Sequence, residues 1–235
     1  MCFSVQIDMN LKSLASEYKA SINNKAYSYF NDAQKRNPKQ YKSIDDDGKL
    51  FTKLWAPLII HHKNQNEIRP MRYQLLPSFS KSNKYTRTNP RTNREVEIKS
   101  TYNARIESLV DKKAWQIPFG KYHGVLSVKS FYEWVEDEDG QKKILEFYAP
   151  ENEKLNLACL FDTWYSEDRQ DIIQSFAIIT RPPEPEVLKA GHDRTPVNLK
   201  PEHIQNWLEP QKLKPQELFQ ILNDPRRPGY LHQSA

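Results

Sequence analysis

Cysteine is almost missing from this 235-residue chain. Cys2 and Cys159 are the only two, and they form no C-x-x-C pair, so neither a zinc finger nor a disulfide framework is indicated and a reducing compartment fits. Long apolar runs are missing too. Nothing approaches the roughly 18 residues that a membrane span needs, and no basic-then-apolar leader opens the sequence. A soluble, intracellular, cytoplasmic protein without a membrane partner is expected. No internal repeat and no linker divides the chain, which predicts one domain over residues 1–222, a loose tail over 223–235, and a monomer. The apolar fraction is low at 37% against 28% charged, so the core must be built from bulky residues, and five Trp, twelve Tyr and ten Phe supply them. The net charge is +5 and the pI near 9.0. That excess leans towards a polyanionic partner, although so small a value equally suits an ordinary soluble protein.

The position of one cysteine carries chemistry that its number does not. If the initiator methionine is removed, Cys2 becomes a first residue with an α-amine and a thiol on adjacent carbons. The amine can condense with an aldehyde to a Schiff base, and the thiol can close on the same carbon to a five-membered thiazolidine. Both groups titrate near enough to neutrality to be nucleophilic at physiological pH, with reference values of about 7.7–8.0 for the amine and about 8.5 for the thiol. The plainer role of a cysteine in this place is that of a small buried hydrophobe, which is also the role expected of Cys159 inside its strand.

Phe3, Val5 and Ile7 alternate with polar residues and predict a strand that pins the amino terminus to the core. Leu11, Leu14, Ala15, Tyr18 and Ile22 recur at helical spacing towards Phe30, and Pro38 stops the pattern, predicting one helix. Residues 51–60 form an apolar run broken by Pro57, read as an edge or bulged strand. His61 and His62 follow on a strand, where neighbours point to opposite faces, so they do not make a metal site. No metal or cofactor is predicted. A short strand covers Met71-Arg72-Tyr73-Gln74-Leu75-Leu76 and ends at Pro77. Residues 81–94 then hold Lys81, Lys84, Arg87, Arg91 and Arg94 without an acid, interleaved with hydroxyl and amide side chains and Tyr85. This loop suits a phosphate backbone as well as it suits a solvated insertion.

Asn103 reads as the cap of a helix beginning at Ala104. On that helix Arg105 and Glu107 are too close to share a face, which frees one of them to look elsewhere. A long strand over 125–135 carries Phe131-Tyr132-Glu133-Trp134. Glu133 lies between two aromatics, a setting that suits a carboxylic acid raised by desolvation into the range where it gives and takes protons. Glu136-Asp137-Glu138-Asp139-Gly140 reads as a hairpin tip. Further strands cover 143–148, 155–164 and 172–180. A proline-rich loop then reaches Gly191-His192-Asp193-Arg194-Thr195-Pro196, where an imidazole can shuttle protons and a guanidinium can grip a phosphate with two prongs. Short helices open at Pro201 and Pro215.

Cys2, Asn103-Ala104-Arg105 with Glu107, Phe131-Tyr132-Glu133-Trp134, and His192-Asp193-Arg194-Thr195-Pro196-Val197 with Trp207-Leu208 together resemble the SOS response-associated peptidase (SRAP) family, the abasic-site processing proteins. Order and rough spacing agree from residue 2 to about residue 210. Met71-Arg72-Tyr73-Gln74-Leu75-Leu76-Pro77-Ser78-Phe79 resembles a variant of the family's Trp-Gly-containing strand. The resemblance implies an α+β fold of mostly antiparallel strands in a barrel-like core with flanking helices, and a positively charged groove for single-stranded DNA. It implies that Cys2 bonds covalently to the open-chain aldehyde of an abasic site. Asn103 would orient the Cys2 amine, Glu133 would move protons during ring opening and imine formation, and His192 would assist proton transfer. Arg105, Thr180 and Arg194 would hold flanking phosphates. Two departures stand out. Phe3-Ser4 replaces the usual Gly-Arg after the cysteine, and Tyr73-Gln74 replaces Trp-Gly, so Tyr73 would have to stand in as the stacking surface and Lys84, Arg87 and Arg91 would compensate in binding the strand. An autopeptidase that releases Cys2, and a nucleic-acid-binding module without catalysis, are the competing functions.

Overall fold

The computed structural model describes residues 4–136 and 140–235. The expectations that fall on Cys2, on Phe3 and on the acidic tip residues Asp137, Glu138 and Asp139 lie outside them. The chain opens with β1 (Ser4–Ile7), whose Val5 and Ile7 are buried. Asn10 then caps α1 (Leu11–Glu17), its side chain accepting from the Ser13 amide at 3.0 Å. The single helix expected from Leu11 to Phe30 is in fact two. Lys19 adopts a positive φ of 47° and ends the first. After it comes β2 (Ala20–Ile22), and Asn23 restarts the helix by accepting from the Ala26 amide at 2.9 Å to open α2 (Asn24–Arg36). Next come β3 (Lys42–Ser43), β4 (Lys49–Leu50), β5 (Leu54–His62) and β6 (Gln65–Tyr73). A small separate hairpin, β7 (Thr86–Thr88) with β8 (Glu95–Glu97), shapes the basic stretch.

Asn103 begins no α-helix. It opens β9 (Asn103–Arg105), and a single 3-10 turn follows over Ile106–Ser108 with no side-chain cap. After α3 (Lys113–Gln116) come β10 (His123–Glu136), β11 (Lys142–Tyr148), β12 (Leu155–Tyr165) and β13 (Ile172–Arg181). The chain ends with α4 (Pro185–Lys189), β14 (Thr195–Pro196), α5 (Ile204–Leu208), α6 (Pro215–Asn223) and β15 (Leu231–Ser234). Within the tail predicted to be loose, 223–235, residues Leu231–Ser234 thus form a strand. It pairs with β11, Leu145 facing Ser234, and Tyr230 just before it is buried with its ring edge-on to Phe131 at 5.4 Å.

The α+β architecture is a closed ring of five strands with further strands and helices around it. β10 pairs with β12, β12 with β13, β13 with β6, β6 with β5, and β5 returns to β10. Five strands cannot alternate direction all the way round, so one pair must run parallel, and β13–β6 does. Pro57 was expected at an edge or bulge but lies in this ring. It sits opposite Pro70, and neither residue can donate, so the pair occupies a position where no ladder bond forms between them. On its other edge β3 pairs with residues 54–55 and β10 with 59–60, and Pro57 falls between. The ring closes at Gly124, where an added Cβ would lie 2.7 Å from Leu58 Cδ2 and 3.2 Å from the Ile59 carbonyl.

Strand alternation divides the apolar residues between two cores. Leu58, Ile60, Leu157, Cys159, Phe176 and Ile178 belong to one. Their neighbours Ile59, Ala158, Leu160, Ala177 and Ile179 belong to the other, together with Leu14 of α1, Trp207 of α5 and Leu218 of α6. Helices can pack only outside the ring, so the first set fills its interior.

Candidate functional site

The site gathers at the carboxyl end of β13, which has a partner on each edge. On one side β9 runs parallel with Ile178 opposite Asn103 and Thr180 opposite Arg105. On the other β14 runs antiparallel with Thr180 opposite Pro196. Two motifs about ninety residues apart in sequence thus flank one strand end.

Across from them stands Glu133 of β10, 1% exposed. Its neighbours Tyr132 and Trp134 were expected to enclose it, but adjacent strand residues point to opposite faces. Glu133 shares its face instead with Phe131 and Val135, both of the interior core, while Trp134 is 47% exposed. His192 reaches this carboxyl: its Nε2 is 3.2 Å from Glu133 Oε2. The approach depends on Gly191, which takes φ +96° and lies so close to β10 that a Cβ would meet the Glu136 carbonyl at 3.2 Å. His192 Nδ1 lies 2.9 Å from the Arg194 carbonyl. The Arg194 amide also points at Nδ1, at 3.3 Å, so the contacts at Nδ1 fit either neutral tautomer, and Nε2 faces Glu133. Burial lowers the pKa of His192, opposed by its bond to that carbonyl. Burial thus favours the neutral ring, whose Nε2 faces the Glu133 carboxyl.

Arg194 is buried, and its guanidinium is engaged. Nη1 and Nη2 donate to Glu107 Oε1 and Oε2 at 2.7 and 2.9 Å, and Nη2 also donates to the Thr180 carbonyl at 2.8 Å. The bond from Arg194 holds the Glu107 carboxyl below the usual range. The two-pronged grip expected for a phosphate is thus closed on a carboxylate of the same chain. Thr180 is wholly buried, as is Tyr73, whose ring stacks on Phe176 at 5.4 Å inside the barrel. The stacking surface that Tyr73 was to supply is not at the surface, because β6 turns that side chain inward.

Asn103, 4% exposed, lines a cleft of about 470 Å³ together with Arg105, Arg87, Lys112 and Lys113. Among the described residues, four cations and no carboxylate line it. Of the basic loop, Arg87 lines this cleft and Lys84 a neighbouring one, while Arg91 is exposed beyond both. Lys112 and Lys113 carried no sequence signal of their own. They join the site because α3 folds beside β9, and Lys113 is anchored over the Phe79 ring at 4.6 Å. Cys159 is buried in β12, and burial pushes its thiol well above the ordinary value, so it is inert. Among the described residues no group of three or more His, Cys, Asp or Glu side chains could hold a metal ion. No helix among them is long and apolar enough to cross a membrane.

Comparison with known proteins agrees with this arrangement. The chain is 26% identical over 164 residues to the abasic site processing protein YoaM of Bacillus subtilis, covering 70% of this chain and 66% of the relative. It is 27% identical over 164 residues to YobE of the same organism, covering 70% and 68%. Against the abasic site processing protein HMCES of Pongo abelii it is 25% identical over 183 residues, covering 66% of this chain but only 49% of the relative. The matched part thus spans about two thirds of the bacterial relatives and half of the animal one. Among solved structures, a Bordetella bronchiseptica protein shares the fold with a TM-score of 0.72 at 14% identity, covering 100% of this chain and 99% of that one. A Bacteroides thetaiotaomicron protein does so at 0.71 and 16%, covering 94% and 86%. The family described as SOS response associated peptidase (SRAP) matches residues 1–232, and with motifs of that family brought to one end of β13 and the facing part of β10, the chain belongs to it.

Proposed function

We propose that the protein captures abasic sites in single-stranded DNA by covalent bonding through Cys2, once Met1 is removed. The observation that carries this reading is the His192–Glu133 approach of 3.2 Å, on the strand with which β1 pairs. Ser4 pairs with Tyr132, the residue next to Glu133.

The chemistry asked of the residues is proton movement. An abasic deoxyribose in its closed form must open to an aldehyde, which requires a proton to leave the ring's hydroxyl and one to reach the ring oxygen. The α-amine then adds to the aldehyde carbon, and the carbinolamine loses water to an imine. Finally the thiol sulfur adds to the imine carbon and its proton passes to nitrogen. Aldehyde and aminothiol thus yield a thiazolidine and one water. Glu133 and the neutral His192 form a donor–acceptor pair suited to each transfer. Asn103 orients the amine, the cleft along Arg105, Arg87, Lys112 and Lys113 takes the strand's phosphates, and Arg194 positions His192 through Glu107 and Thr180.

The test is a denaturing gel of processed protein with single-stranded DNA carrying one abasic site. A heat-stable shifted band is expected. Cys2→Ala should abolish it and Glu133→Gln should slow it by about 10²-fold or more, the scale of general acid–base catalysis. A module that only binds would give no band with the wild type, and a band that survives in Cys2→Ala would refute the assignment.

A further inference from the structure

Arg72 is a buried cation with no ion-pair partner in contact among the described residues. The residue is 7% exposed, no carboxylate among the described residues lies within ion-pair distance, and its one bond is a long one of 3.4 Å from Nη2 to the Gln74 carbonyl. Its Nε has no acceptor. Burial lowers its pKa to about 10, so it still carries full charge at neutral pH. An enclosed guanidinium with so few partners is costly to the fold unless something else supplies the anion.

The surroundings show where an anion would sit. Arg72 lines a cleft of about 240 Å³ with Lys39, Lys53, Lys84 and Gln40. The one carboxylate among its lining residues, Glu97, pairs with Lys53 at 3.1 Å and is felt at longer range by Arg72 and Lys84, so four cations, Arg72, Lys39, Lys53 and Lys84, face one anion. Gln40 contributes a second wall donor without an acceptor, its Nε2. Tyr85, Ile98 and Thr101 are common walls of this cleft and of the one that holds Asn103 and Arg105, so the two adjoin. An aromatic ring on the shared wall, with cations on both sides, is the composition that tracks a single strand.

We infer that this second cleft is a phosphate subsite for the same strand, in which Arg72 and Lys39 take a backbone phosphate adjoining the segment held along Asn103 and Arg105. The inference rests on the strand-capture reading above. It is tested with single-stranded abasic oligonucleotides lengthened one nucleotide at a time, first on the 5′ and then on the 3′ side. Dissociation constants are measured across a salt series for the wild type, Arg72→Gln and Lys39→Gln. In the wild type, the added nucleotide that reaches the subsite should tighten binding and steepen the log–log salt slope by about 0.7, the increment for one single-strand phosphate. Both variants should lose that step. Lys39→Gln is a surface change and keeps the test decisive if Arg72→Gln does not fold. Equal steps in wild type and variants would overturn the inference. Inorganic phosphate is the control probe: if it stabilises the wild type thermally and not the variants while the length steps stay equal, the cleft takes a free anion and the strand assignment falls. If no oligonucleotide gives a covalent band with the wild type, the capture reading fails separately, since the length steps are read by equilibrium binding.

Discussion

Lowering the pH should weaken the fold through His123. The ring is wholly buried where α5 docks on β10, stacked on Trp207 with centroids 3.8 Å apart. Nδ1 lies 3.0 Å from the Trp207 carbonyl, and Nε2 accepts from the Gly120 amide at 2.9 Å. Only the neutral ring satisfies both bonds, because a second proton would face the Gly120 N–H. Burial accordingly pushes the pKa down to about 3, against about 6.5 in the unfolded chain. The unfolded state therefore takes up a proton that the folded state refuses, so stability is full above about pH 6.5 and falls as the pH drops towards 3. At pH 5 the unfolded state gains a factor of about 30, or ~2 kcal/mol, and a folded pKa one unit higher would hardly change that figure. Against a typical stability of about 5–15 kcal/mol this is a readable loss.

The assay is urea unfolding at about pH 7.5 and pH 5. His192, whose pKa burial also lowers, titrates in the same direction, so the wild-type difference alone does not isolate His123. His123→Gln does, since a glutamine amide can accept from Gly120 and donate to Trp207 but does not titrate. The variant will be less stable at neutral pH, having lost the stacked ring, yet its loss between the two pH values should be smaller than the wild type's by ~2 kcal/mol. Equal losses would refute the reasoning.

Gly191→Ala should cost about 1–2 kcal/mol by thermal melting, from a positive φ and a Cβ 3.2 Å from the Glu136 carbonyl. It should also slow covalent capture beyond what the stability loss explains, because it moves His192 off Glu133; an unchanged rate would refute the positioning argument. Tyr230→Ala should cost about 3 kcal/mol in chemical unfolding, the scale for emptying a buried aromatic site, whereas a loose tail would cost nothing. Lys112→Gln with Lys113→Gln should flatten the salt slope of strand binding by about 0.7 for each phosphate that is no longer held, and an unchanged slope would take both residues out of the groove.

The long strands were readable because alternation persists over many residues: β10, β12 and β13 fall close to where the pattern put them. Short elements were not. Asn103 has the chemistry of a cap and Ile106 and Leu109 the spacing of a helix, but three residues held in register by β13 outweigh one uncapped turn. Asn23 could have flagged the break between the first two helices, since it caps the second; Ile22 masked it by fitting a helical stripe and a strand equally. The tail's strand depends on β11 offering an edge, which no local pattern records. The basic clefts are the clearest case, because Lys39, Lys53, Arg72, Lys112 and Lys113 are scattered in sequence and meet only through the packing of the β7–β8 hairpin and α3 against the ring.

Arg194 shows why a site residue legible by type need not be legible by role. A guanidinium in a loop beside a histidine suits an anion, and the anion it holds is Glu107. That bridge joins the loop bearing His192 to the turn that follows Asn103, with the Thr180 carbonyl as the third point, so it ties together the two flanks of β13 that carry His192 and the basic cleft. The spacing of Arg105 and Glu107 then has a physical reason. With Ile106 buried between them, Arg105 faces the cleft while Glu107 faces Arg194. A phosphate could take the Arg194 fork only by displacing a carboxylate held by two short charge-assisted bonds, a bidentate geometry that a single phosphate matches but does not better. Arg105, exposed and unencumbered by such a pair among the described residues, is the arginine of this motif left open to an anion.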